Sequence, residues 1–172
     1  MRSDMEKHIA SIVGEPYEAR EVGFKLPEFI DIIVNAGDSR SSRGATIGQS
    51  LPNFGKVAEE SRGRTVAMAN LYTDRDSMRL AKLRAESLFT SESMTAWSSD
   101  PKAGRLDTVL HEAMHNFGPT GSWTVDGKLP EEIFGGRLDA IMEELKAQTG
   151  SYTLLIYLHG KGELSDEELR AG

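Results

Sequence analysis

The chain has 172 residues, a mass of 18.9 kDa, a net charge of −7 and a pI near 5.2. It holds no cysteine, which excludes a disulfide framework, a thiolate metal site, a cysteine nucleophile and an iron–sulfur cluster. Charged residues make up 27% and hydrophobic ones 38%, the balance of a folded chain long enough to build its own core.

No apolar run approaches a membrane span and the N-terminus lacks an apolar leader, so a cytoplasmic protein without a membrane partner is expected. The charge is uneven. Between Asp38 and Arg84 nine Lys and Arg stand against five acids, whereas the last 72 residues carry seven basic and twelve acidic groups. The basic stretch lacks the interleaved aromatics of a base-stacking surface, so no nucleic-acid partner is expected.

In chain order, Ser3–Val13 reads as a short helix, with Ser3 and Glu6 at capping-box spacing and Gly14-Glu15-Pro16 as its stop. Phe29–Val34 is short, apolar and β-branched, and predicts a strand. Ser39–Gly55 is rich in Ser, Gly and Asn and predicts a long loop, of the kind that often carries function. Arg64–Tyr72 alternates and predicts a second strand, and Asp74–Phe89 predicts a helix. Ser91–Pro101 is ambiguous. Helices follow over Leu106–Phe117, about Pro130–His159 and a tail from Ser165, where Ser165 and Glu168 repeat the capping-box spacing. The length implies one domain over 1–172. It divides into a helical extension (1–28), a mixed strand, loop and helix portion (29–104) and a helical portion (105–172). The fold class is a predominantly helical α+β.

The residues that point to chemistry are His111-Glu112-Ala113-Met114-His115. Two histidines four apart lie about 40° from each other round a helix, so both imidazoles can reach one metal ion. Glu112 sits at the edge of the same site, placed to take a proton from water without being a ligand. Leu106, Val109, Leu110, Ala113, Met114 and Phe117 recur at helical spacing, so the motif lies on an amphipathic helix that packs into a core. A chance pair of surface histidines would lack that register. A third ligand is needed, and without cysteine the candidates are His8, His159 and the carboxylates. Among the carboxylates, Glu143 and Glu144 stand out, because they sit inside the apolar register of the next predicted helix.

Three separated stretches resemble the dipeptidyl peptidase III family of zinc peptidases. Ile47-Gly48-Gln49-Ser50-Leu51-Pro52-Asn53 is similar to the family's substrate-backbone segment, His111–His115 to its zinc helix, and Glu143-Glu144-Leu145-Lys146-Ala147-Gln148 to its ligand-helix motif. The resemblance implies that a gluzincin-like zinc helix and a ligand helix pack with a small N-terminal β portion. It implies Zn2+ held by His111, His115 and Glu144, with Glu112 as general base. Glu143 and Gln148 would orient the imidazoles, and Ser50 and Asn53 would bind the peptide substrate.

Four departures stand beside the resemblance. The zinc motif is the shorter His-Glu-x-x-His form, which looks like the Nudix-fused relatives. Gln148 replaces an acid, and Ser50 replaces an asparagine. Family members are several times longer, with a second lobe that forms the far wall of the cleft, so this chain is expected to be an isolated catalytic core. Zinc-dependent peptide hydrolysis is the leading expectation. The alternatives are a zinc-stabilised binding or structural module, and one part of a larger peptidase whose cleft is completed by self-association or a partner chain.

Overall fold

The computed structural model describes residues 1–23, 28–31, 40–41, 44–45, 48–51 and 64–171, with the backbone alone over 40–51 and at 64. Helix α1 spans Arg2–Val13. Short strands follow: β1 (Glu28–Ile30), β2 (Arg40–Ser41), β3 (Gly44–Ala45), β4 (Gly48–Leu51) and β5 (Arg64–Met68). The α-helices that follow are α2 (Arg75–Leu88), α3 (Pro101–Met114), α4 (Pro130–Phe134), α5 (Gly136–Gly160) and α6 (Asp166–Ala171). This is a predominantly helical α+β fold. Among the described residues, no helix is long and apolar enough to cross a membrane.

Local chemistry sets most boundaries. Asp74 caps α2 by accepting the Ser77 N–H at 2.7 Å. Asp100 caps α3 by accepting the Lys102 N–H at 2.9 Å, and Pro101 occupies the first turn, so α3 begins earlier than the apolar register alone indicates. Ser165 and Glu168 form the expected reciprocal cap: the Glu168 carboxylate accepts the Ser165 N–H at 2.9 Å and the Ser165 hydroxyl accepts the Glu168 N–H at 3.2 Å.

Other boundaries differ from the sequence reading. Ser3 lies inside α1, whose N-cap is Met1, and the spacing to Glu6 serves a different contact described below. The loop expected over Ser39–Gly55 contains β2, β3 and β4. The expected strand Arg64–Tyr72 divides into β5 and a 3-10 turn over Ala69–Tyr72. The single helix expected from Pro130 breaks at Gly135 and Gly136, whose φ values of +75° and +50° end α4 and start α5 in a new direction.

The three-stranded sheet runs β1-β5-β4, with β1 parallel and β4 antiparallel to the central β5. Ser50 pairs with Thr65 in that register, so Gly48–Leu51 of the predicted substrate segment is the outer strand of the sheet among the described residues. β4 and β5 lie beside α3.

The main core joins α1, α3 and α5 through Met5, Ile9, Leu110, Ala113, Met114, Phe117, Ala147, Leu154, Leu155 and Leu158. Each larger side chain here contributes roughly 1.5–3 kcal/mol by leaving water. Small residues let α3 and α5 approach. A Cβ on Gly150 would lie 2.2 Å from Met114 Cε and 2.9 Å from its Cγ, so glycine is required for Met114 to pack as it does. Ser151, fully buried on the same face, donates to Asp107 at 3.0 Å. This close contact brings the two motif-bearing helices together.

Candidate metal centre

His111 lies in the last turn of α3. His115 follows at its C-cap with φ −61° and ψ −20°, which continues helical geometry and keeps both rings on one side. The ring centres are 5.1 Å apart and the planes nearly perpendicular. Glu144, on α5, meets them from the other side. One oxygen lies 3.2 Å from His111 Nε2 and the other 3.9 Å from His115 Nε2. One ligand atom from each of His111, His115 and Glu144 falls within 4.8 Å of the others.

The outer nitrogens of both rings are occupied. His111 Nδ1 meets Gln148 Oε1 at 3.1 Å, and His115 Nδ1 meets Glu143 Oε1 at 3.0 Å. An amide oxygen and a carboxylate both accept, so each Nδ1 carries a proton and each Nε2 is left facing Glu144. Two imidazoles with one carboxylate is a donor set that zinc accepts.

Glu112 is only 7% exposed, next to this cluster in charge as well as sequence. Burial is the largest influence on its carboxyl and raises it above the ordinary value. The two imidazoles oppose the rise and Glu144 adds to it. A carboxyl raised in this way holds a proton more readily than one in water.

Glu143 ends below its ordinary value for the opposite reason. Burial pushes it up, but the His115 hydrogen bond and the nearby Lys146 charge together outweigh that push. Lys146 is itself largely buried and its ammonium is shifted down by desolvation, with Glu143 offsetting part of the shift. It donates to Glu143 Oε1 at 2.8 Å and to the Pro119 carbonyl at 3.0 Å.

The other third-ligand candidates are elsewhere. His8 stacks on Tyr157 with centroids 4.4 Å apart, and His159 pairs with Asp166 at 2.7 Å. Trp123 packs edge-on to Tyr17 at 5.8 Å, and Tyr152 is half exposed. Ser50 is placed by its backbone on β4, and Asn53 lies outside the described residues. The sequence reading passed over Lys146, Arg20 and the buried role of Glu6. The available signal was a lysine within the acidic ligand-helix motif, three residues after Glu143.

No family model and no curated protein matches the chain. Among solved structures, dipeptidyl peptidase III (DPP III) from Caldithrix abyssi is similar, with a TM-score of 0.59 and 22% identity over 73% of this chain. The fold is DPP III-like. The chain spans 24% of the length of that structure.

Proposed function

We propose that this chain carries out zinc-dependent peptide hydrolysis, as a DPP III-like metallopeptidase core. The observation that carries the reading is the convergence of His111 Nε2, His115 Nε2 and the Glu144 carboxylate beside the buried acid Glu112. Zinc held by these three residues supplies a Lewis acid for the scissile carbonyl and for attacking water. The remaining steps belong to the chain itself. Glu112 takes the proton from water as the new C–O bond forms, and passes it to the nitrogen of the departing amine. Gln148 and Glu143 hold the two imidazoles by their Nδ1 protons and keep their lone pairs turned inward. The β4 edge, beside α3, offers backbone groups to an extended substrate in the manner of strand addition, with Ser50 and Asn53 in the contacting segment.

The test is a Glu112→Gln variant assayed on unstructured peptides. Cleavage is expected to fall by about 10²–10⁴-fold, the usual share of a general base, with bound zinc and thermal stability retained. Parent protein that retains no divalent ion after metal-free preparation and zinc addition would sink the reading.

One observation favours a second reading, in which the chain works as part of a larger peptidase assembly. Helix α5 is apolar on two faces. Ala147, Gly150, Leu154 and Leu158 are buried against α3, while Leu138, Ile141, Leu145, Tyr152 and Ile156 form an exposed stripe on the opposite side. An exposed apolar stripe along one side of a helix is a surface that a partner can cover. Light scattering in solution separates the readings: a monomer at micromolar concentration that cleaves peptide supports the core acting alone.

A further inference from the structure

The segment that follows His115 is held from outside by three charged side chains. Helix α3 ends at Met114, so beyond His115 the helix no longer constrains the backbone. The Asn116 carbonyl accepts from Arg20 Nη2. The Gly118 N–H donates to Glu6 Oε2 at 2.9 Å. The Pro119 carbonyl accepts from Lys146 Nζ at 3.0 Å. Glu6 is fully buried, and its other oxygen accepts from the Tyr17 hydroxyl and the Arg20 N–H, which ties the N-terminal segment into the same contact. Gly118 has a φ of +66°, and a Cβ there would lie 3.1 Å from Ile9, so the approach of α1 also depends on that glycine.

Unpaired groups at a helix end need partners, and a simple cap would satisfy that need. Lys146 does more. The same ammonium that holds Pro119 binds Glu143 Oε1, and that oxygen receives His115 Nδ1. The backbone after His115 and the partner of its ring are therefore joined through one atom.

We propose that Lys146, supported by Glu6 and Arg20, is a positioning residue that clamps the Asn116–Pro119 turn and holds the Glu143 carboxylate against His115 Nδ1, so that the ring keeps Nε2 turned to Glu144. Its consequence for metal affinity rests on the metal site proposed above; the clamp itself does not.

The experiment reads the imidazole nitrogens and their N–H protons by NMR in metal-free, histidine-labelled protein. The parent is expected to show a His115 Nδ1–H protected from exchange with water, as its bond to Glu143 requires. Lys146→Met is expected to lose that protection and shift the His115 nitrogens, and Lys146→Arg to restore the parent pattern, since arginine also donates to two acceptors. Arg20→Met, which loses the bond to Asn116 and the guanidinium's interaction with Tyr17 but leaves Lys146 on Glu143, is expected to shift the pattern part of the way and serves if Lys146→Met does not fold. A purely structural contact would lower stability and leave the nitrogens alone, so an unmoved His115 pattern in the folded variants overturns the proposal. A parallel cobalt(II) titration is expected to show affinity lower by about 10–100-fold in Lys146→Met. Absence of cobalt binding by the parent would overturn the metal reading, while the nitrogen shifts still decide the clamp.

Discussion

The two histidines of the cluster sit four residues apart and are held in different ways. His111 lies within α3, where the helix sets its backbone, and a neutral amide, Gln148, takes its Nδ1 proton. His115 lies where the helix stops, and an ionised carboxylate takes its proton, backed by a buried ammonium and by the N-terminal segment. The better-anchored backbone has the weaker electrostatic partner, and the less-anchored one has the stronger. A charged partner raises the basicity of a ligand imidazole more than an amide does. The orientation of His115 thus depends on contacts far away in sequence.

Exchanging the partners tests this most directly. Glu143→Gln is expected to weaken zinc binding by about 10–100-fold, the usual effect of losing a charged partner behind a ligand histidine. Gln148→Glu is expected to tighten it, and competitive chelator titration reads both. Weaker binding in Gln148→Glu would break the comparison, because it would mean that neutrality at His111 is required.

A smaller effect is expected from Gly150→Ala. The added methyl meets Met114, the residue before His115, and overpacking of this kind costs about 1–3 kcal/mol, more than the gain of about 1 kcal/mol in helix propensity. Urea denaturation measures the net loss. If the α3–α5 contact sets the end of the helix, the NMR signals of His115 should move more than those of His111.

The smallest effect is expected at the far end of α3. Lys102 pairs with Glu168, whose carboxyl is pulled down to about 2 by Lys102, by the Ser165 N–H and by the Ser165 hydroxyl. A carboxyl depressed on folding stabilises above its unfolded value of 4.5 and loses that contribution as pH falls toward 2. Glu168→Gln should therefore flatten thermal stability between those pH values and leave zinc affinity unchanged. A change in zinc affinity would show that the whole length of α3, rather than its last turn, sets the histidines.

Much of this was legible along the chain. The helical register around His111 and His115 marked α3, because one apolar stripe on a polar helix has a period that local sequence carries. The caps at Ser165 and Glu168 were legible for the same reason: the partners are three residues apart. The breaks were harder to read. Gly135-Gly136 lies inside an apolar pattern that continues through it, and only the positive φ angles show where α5 begins. Glu6 illustrates the opposite error. Its spacing from Ser3 matches a local cap, yet its carboxylate is taken by Tyr17, Arg20 and Gly118, across 112 residues in the last case.

By itself the sequence determined the candidate ligand types, the helix that carries the two histidines, the absence of thiolate chemistry and the predominantly helical class. These depend on composition and on spacings within one or two turns. Only the tertiary structure decided that Glu144 meets the two Nε2 atoms, that Gln148 and Glu143 divide the outer nitrogens, and that Lys146 links Glu143 to the turn after His115. The physical reason is distance along the chain. Contacts between α3, α5 and α1 depend on how closely the helices pack, and that follows from side chains such as Gly150, Met114 and Gly118 acting together.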